Sequence, residues 1–309
     1  MKKMICAISV SLLLIPSLTM SREIQTLRLG ILPVIDTLPL IVAKERGFFR
    51  QEGINVQLIS FYSALERDSA LKGGGLDGYF GDLLNTILLN AGGEDLRIVT
   101  TSYHTNPDHR MFALLASPGS GIRNIQQTRD EPVAISTASI IEYILDEIMA
   151  KEHIPSGQVK KLEIRMIPIR YQMLIKNSVK LALLPEPLAT KAVADGAIPI
   201  TDDRILDTTL TIIAIKNKFL TDNPNLAIRF LRAYTKSVHT INSNPSGFMD
   251  TLVSKTRFPA SLKGHFTIPA FPDPAPPPQE DISHVETWLL QHNLIPAGIP
   301  CQKLIWKGP

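Results

Sequence analysis

A chain of 309 residues, 44% of them apolar and 20% charged, exceeds the usual span of one hydrophobic core, so two lobes of an ordinary globular protein are expected. A formal net charge of +3, with no basic run longer than Lys160-Lys161, excludes the charge pattern of a nucleic-acid-binding surface. Two cysteines are too few for a cysteine-rich metal site.

Met1-Lys2-Lys3 is a basic start, and residues 5–18 are mostly apolar, broken by Pro16. Thr19-Met20-Ser21 places small residues at positions −3 and −1 of a cut after Ser21. This is the pattern of a secretory signal peptide over residues 1–21, and its apolar run is short for a membrane span. An uncleaved N-terminal anchor is the alternative. Cys6 lies inside the apolar run rather than at the cut, so a soluble exported (periplasmic) protein without a lipid anchor is expected. Cleavage leaves Cys301 as the sole thiol, which rules out an intramolecular disulfide and leaves the core to hold the fold.

Residues 27–32 are a short apolar run suited to a buried strand. Pro33 opens a turn. Residues 38–49 then keep apolar side chains at helical spacing (Leu38, Ile41, Val42, Phe48, Phe49), with Lys44, Glu45 and Arg46 on the other face. Gly47 and Gly53 bracket the helix end, and 54–59 reads as a second strand. Strand–turn–helix–strand is the unit of a parallel sheet, in which ligands sit at the carboxyl ends of the strands. A helix is expected over 60–72, with Leu65 and Leu71 apolar and Glu66, Arg67 and Lys72 solvated; Gly73-Gly74-Gly75 stops it, and since no Lys-Ser/Thr follows, these glycines make a turn and not a phosphate loop. A strand at 76–80, a helix at 82–91 and strands at 96–101 and 111–117 complete the first set. A second set follows: strands at 132–136, 162–167, 179–184 and 198–200, with helices at 139–151, 170–177 and 186–195. The β-branched run at 208–215 crosses back to the first lobe. Helices are expected at 224–242, 246–255 and 279–292, the last with Trp288 and Leu289 facing the core. Residues 266–278 are proline-dense and serve as an extended connector, or else as a polyproline ligand. No internal repeat is visible at solenoid periods.

The expected fold class is α/β: two lobes, each a mainly parallel sheet flanked by helices, joined by two crossing strands near Ser117 and Thr208. Residues 22–117 and 209–309 make a discontinuous first lobe and 118–208 the second. The cleft between them is the expected place for a small molecule.

Several stretches carry a resemblance. Pro39-Leu40-Ile41-Val42-Ala43, then Gly47-Phe48-Phe49, then Gly53, resembles the opening of the periplasmic solute-binding proteins of ABC importers, in the branch that includes nitrate, taurine and aliphatic-sulfonate binders and thiamine-precursor binders. GLDGYFGDLL at 75–84, ISTASIIEYIL at 135–145 and Leu184-Pro185-Glu186-Pro187 with Ala189 and Ala192 resemble later stretches of the same family, as does the Trp288-Leu289 helix. The resemblance covers nearly the whole mature chain through the order and spacing of its parts. It implies a type 2 periplasmic binding protein fold that closes on a small-molecule ligand and delivers it to a membrane permease. It implies a monomer, with no cofactor.

Each candidate ligand-binding residue has a plainer structural role beside it. Asp36, Thr37 and Leu38 stand where the first strand meets its helix, and N–H groups free at a helix start hold anions; Asp36 or Thr37 can equally be a cap. Phe80, Gly81 and Asp82 repeat that geometry, with Gly81 allowing close approach of a ligand, Phe80 a flat wall, and Asp82 an N-cap as the alternative. Ser136, Thr137, Ala138 and Ser139 gather three hydroxyls and several N–H groups at a helix start, although Ser139 with Glu142 also spells a capping box. Glu186 either accepts from a ligand N–H or caps its helix. Tyr62, Tyr103 and Tyr143 are stacking candidates. With Asp36, Asp82 and Glu186 acidic and no arginine assignable to the cleft, a neutral or nitrogen-rich ligand fits better than a bare oxyanion.

Catalysis has little support: H-E-x-x-H, G-x-S-x-G, P-loop and G-x-G-x-x-G patterns are absent. His104 and His109 with Asp108 lack an evident third metal ligand, and a solvated loop is the simpler reading. The same scaffold hosts enzymes, among them the fungal thiamine-pyrimidine synthase and menaquinone enzymes of the futalosine route. The first needs a Cys-rich motif missing here and the second are cytosolic. A periplasmic enzyme using Glu186 or Asp82 as acid or base, and a ligand-sensing subunit, remain the alternatives.

Overall fold

The computed structural model describes residues 26–256 and 258–308. The expected signal peptide lies outside the described residues. The chain runs through β1 (Thr26–Ile31), α1 (Leu38–Glu45), α2 (Phe48–Gln51), β2 (Asn55–Ser60), α3 (Ala64–Lys72), β3 (Gly78–Gly81), α4 (Leu83–Ala91) and β4 (Leu96–His104). After a crossing come β5 (Phe112–Ala116), β6 (Pro132–Ile135), α5 (Ile140–Lys151), β7 (Lys160–Glu163), α6 (Ile167–Ile175), β8 (Leu181–Pro185), α7 (Leu188–Ala194) and β9 (Ile198–Asp202). The chain returns through β10 (Thr209–Lys216) and continues in α8 (Asn217–Asp222), α9 (Leu226–Ser243), α10 (Met249–Lys255), α11 (Gln279–Gln291) and α12 (Cys301–Leu304).

The strands form two five-stranded sheets, ordered β2-β1-β3-β10-β4 and β7-β6-β8-β5-β9. In each, the pairs made by the first three strands are parallel, and one strand that has crossed from the other lobe runs antiparallel between its neighbours. The lobes therefore repeat one βαβαβ plan, with β1, β2 and β3 answering to β6, β7 and β8. Phe112–Ala116, expected to end the first lobe, pairs with β8 and β9 and belongs to the second sheet. The first crossing thus falls at 105–111 and not near Ser117. Five apolar residues in a row suit a strand flanked on both sides, which cannot by itself tell which sheet receives it.

The register shows which ends face each other. β4 leaves the first sheet at His104, opposite Thr209, while β5 enters the second at Phe112, opposite Pro185 at the end of β8. Both crossings thus join the carboxyl ends of the two sheets, the ends at which parallel sheets present their ligand-binding loops.

Some local expectations shift. Gly47, at φ +71°, breaks the helix expected at 38–49 into α1 and α2, a backbone state that glycine adopts without strain. β7 occupies Lys160–Glu163 rather than 162–167, because α6 already starts at Ile167 with Pro168 in its first turn. In α3 Leu71 is buried while the apolar Leu65 is exposed, and Arg67, expected to be solvated, is buried because its guanidinium finds carbonyl and carboxylate acceptors within the lobe. The amphipathic α9 lays Leu226, Phe230, Tyr234, Val238 and Ile241 inward against α1 and α2, with the Phe230 ring stacked between Phe49 at 5.4 Å and Tyr234 at 6.0 Å. Trp288 and Leu289 are buried as expected. Trp288 meets the Tyr143 ring of α5 edge-on at 5.8 Å and donates from Nε1 to Asp146 at 3.0 Å, so α11 fastens the C-terminal region to the second lobe.

Candidate functional site

The first wall is built on β1, β3, β4 and β10. The turn after β1 buries Asp36, Thr37 and Leu38. Neither Asp36 nor Thr37 makes a side-chain cap bond. Thr37 Oγ1 donates to Val34 O at 2.6 Å and so holds the turn. Asp36 Oδ2 accepts from Thr211 Oγ1 of β10 at 2.7 Å, and its carbonyl accepts from Ser102 Oγ of β4 at 3.1 Å. Burial pushes the Asp36 carboxyl up to about 6, and the charge of Asp82 adds to the effect.

Phe80 and Gly81 are buried. Gly81 is small for an internal reason: a Cβ there would collide with the Tyr79 ring and crowd Arg67. Asp82 is the N-cap of α4, accepting from Asn85 N at 2.7 Å, and burial pushes it up to about 6. Tyr62 is exposed at the head of α3, where its N–H donates to Glu66 Oε2 at 3.0 Å.

The second wall starts at Ser136–Ser139, whose donors the chain itself takes up. Thr137 N donates to Glu163 Oε2 at 2.7 Å and Ala138 N to Glu142 Oε2 at 2.6 Å. Ser139 Oγ accepts from Ile141 N at 3.2 Å and donates to Ser136 O at 2.7 Å. The expected capping box is thus offset by one residue: Ser139 caps α5, and Glu142 reaches Ala138 instead of Ser139. Ser136 Oγ accepts from Arg170 Nη2 at 2.6 Å.

Glu186 is buried and held by three hydrogen bonds. Oε1 accepts from Arg110 Nε and Thr190 Oγ1, both at 2.8 Å, and Oε2 accepts from Thr190 N at 3.0 Å. Arg110 is a site arginine that sequence reasoning did not find. It lies 76 residues from Glu186, and no local pattern links the two. Glu186→Gln is expected to cost about 1.5–3 kcal/mol of stability, the usual worth of hydrogen bonds to a charged group, as read by urea unfolding.

Between the walls lies a polar layer. Tyr103 at the end of β4 and Asp203 just after β9 are fully buried. Asp203 Oδ1 accepts from Met111 N at 2.8 Å and Phe112 N at 3.0 Å, which anchors the first crossing. Among the described residues, neither Tyr103 Oη nor Asp203 Oδ2 has a hydrogen-bond partner. Burial pushes Asp203 up to about 7 and also raises Tyr103, whose hydroxyl feels the charges of both Asp203 and Asp36. Tyr103 was legible as a stacking candidate; Asp203 carried no sequence signal. His104 lies 3.5 Å from Asp281, which also accepts from Thr209 N at 2.7 Å, and this contact raises the His104 pKa. Among the described residues, His104 and His109 do not come together with a third ligand; the set that does, Glu142, Asp146 and His292, already holds the Lys161 ammonium at 2.8 Å from both carboxylates.

A two-sheet frame with opposed strand ends and a polar layer at its crossings is shared by a known family, and the model of the NMT1-like family matches residues 21–249. The chain belongs to the NMT1-like family. Within it, 128 residues are 28% identical to the bicarbonate-binding protein CmpA of Synechococcus elongatus, covering 40% of this chain and 27% of that relative. The chain therefore matches only about a quarter of the length of that curated relative. The fold of this NMT1-like chain matches the periplasmic aliphatic sulphonate binding protein SsuA from Escherichia coli, with a TM-score of 0.77 at 16% identity over 92% of each chain. It also matches the desulfurization enzyme DszB, with a TM-score of 0.66 at 14% identity over 92% of this chain and 97% of that one. The fold thus serves binding proteins and at least one enzyme.

Proposed function

We propose that this protein is the solute-binding component of an ABC importer, which takes one small organic molecule between its lobes and hands it to a membrane permease. The observation that carries this reading is the polar layer at the crossings, where the buried Tyr103 Oη and Asp203 Oδ2 have no partner among the described residues between two opposed walls. Hinge closure around a ligand would bury its contacts from both lobes. CmpA and SsuA, named as binding proteins, support the reading. So does the holding of the buried Glu186 by Arg110 and Thr190, which gives it a structural role. No helix among the described residues is long and apolar enough to cross a membrane. Export through the N-terminal signal and action as a monomer in the periplasm complete the proposal.

Native mass spectrometry of protein purified from its exported compartment tests it. A discrete small-molecule adduct that leaves on unfolding, unchanged in mass, is the expected result. Recovery of a chemically altered compound after incubation with candidate ligands would place the protein among the enzymes of this fold.

A further inference from the structure

We propose that the cleft accepts an organic cation bearing N–H donors (an amine, amidine or guanidine), held by Asp36, Asp82 and Asp203 with Tyr103 Oη as a further acceptor. The inference deepens the solute-binding reading and rests on it.

The donors that could hold an anion at this cleft are already committed to the chain. Arg67 donates to Phe80 O, Asp68 and Asn85. Arg170 donates to Leu183 O, Ile164 O and Ser136 Oγ. Arg110 is paired with Glu186 and Arg165 with Glu163. The N–H groups of Thr137 and Ala138, the natural anion cradle at the start of α5, are taken by Glu163 and Glu142. An arriving oxyanion would have to displace these carboxylates and would find no free positive charge among these groups.

The acceptors are in the opposite condition. Asp36 has a neutral partner, Thr211, and Asp203 accepts from backbone N–H groups; Asp82 accepts from Asn85 N–H and feels the charge of Arg67, whose own hydrogen bonds go elsewhere. Strand register draws these residues together. Thr211, which holds Asp36, lies opposite Tyr103; Ile212 lies opposite Gly81, next to Asp82; and Ser102, beside Tyr103, holds the Asp36 carbonyl. Asp203 joins from the crossing through Met111 and Phe112. A buried carboxylate without a counter-charge, as at Asp36 and Asp203, is costly, and an acceptor left without a donor adds to the cost. A cation with N–H groups resolves both at once: it supplies the missing donors to Tyr103 Oη and Asp203 Oδ2 and keeps Asp36 and Asp82 ionised. CmpA and SsuA, by contrast, are named for anions.

The test is thermal unfolding and titration calorimetry at pH 7.5 and fixed ionic strength. Agmatine, putrescine and benzamidine are compared with sodium bicarbonate, nitrate and ethanesulfonate. At least one cation is expected to bind and raise Tm, with none of the anions doing so. The near-isosteric D36N/D82N double variant and, independently, Tyr103→Phe are each expected to weaken that cation at least tenfold. Binding of an anion, weakened by the same variants, would overturn the cation assignment and leave the solute-binding reading intact. Cation binding unaltered in both variants, or no cation binding at all, would also overturn the assignment. Chemical alteration of any of these compounds would instead remove the solute-binding reading itself.

Discussion

Replacing either Arg67 or Arg170 by methionine is expected to lower the free energy of unfolding by about 3–5 kcal/mol. Each is the fourth residue of its helix, α3 or α6, and each is fully buried. Each donates from Nη1 at 2.8 Å to a carbonyl of the third strand of its own lobe, Phe80 in β3 and Leu183 in β8. The two lobes thus share one device: a guanidinium that ties the helix before the third parallel strand to that strand. Methionine keeps much of the volume but removes five directed hydrogens. At Arg67 it removes both donors to Asp68 Oδ1, leaving Asp68 with the Asn85 bond to Oδ2, and uncovers the Tyr79 ring, 4.5 Å below the guanidinium. At Arg170 it removes the guanidinium donors to Ile164 O, Leu183 O and Ser136 Oγ. Burial lowers the Arg170 pKa to about 10, so the charge persists at neutral pH. Urea unfolding of each variant and of the pair checks this. The sites lie in different lobes and share no partner, so the two losses are expected to add. A loss below about 1 kcal/mol at either site would contradict the tie. Removing the exposed Lys218–Asp222 pair is the control, expected to change stability by less than about 0.5 kcal/mol.

The second large effect is one of pH. The ligand-free protein is expected to lose stability as pH rises from about 5 to 7.5. Asp36 and Asp82 titrate at about 6 and Asp203 at about 7, all above the ordinary aspartate value, because burial disfavours their charged forms. Between the unfolded and folded values the native state binds more protons than the unfolded chain. The stability conferred is therefore full below the unfolded value and lost as pH climbs through the folded value. Each tenfold gain in proton affinity on folding corresponds to about 1.4 kcal/mol, so the three carboxyls together account for several kcal/mol. His104, raised by Asp281, acts in the same direction. Unfolding midpoints from pH 5 to 8 measure the slope, and D36N/D82N is expected to flatten it. A wild-type stability that climbs steadily to pH 8 would show that these groups are not buried as described.

The sequence made the frame easy to read and the site hard. Glycine stops, β-branched runs and helix-spaced apolar residues are local signals, so the βα order, the caps at Asp82 and Ser139 and the inward Trp288 could all be read. The sheet that receives a fully apolar strand such as Phe112–Ala116 is settled by pairing partners far along the chain, and no local pattern records it. The same applies at the site. Ser136–Ser139 looked open because Glu163 lies 26 residues from Thr137, and Glu186 looked free because Arg110 lies 76 residues away. Gly81 looked like room for a ligand, but the space belongs to Tyr79 and Arg67, which pack from the same lobe.

The adjacency of His104 and Thr209 across β4 and β10 has a consequence for engineering. All five strands of the second sheet lie between those two residues, and among the described residues they pair with one another alone. The second lobe is thus a cassette with neighbouring entry and exit points. It can be exchanged whole between relatives through two splice sites, or replaced by a short turn, with every strand of the first sheet left in place. The face of Trp288 now covered by Tyr143 is the apolar patch that such a graft must cover again.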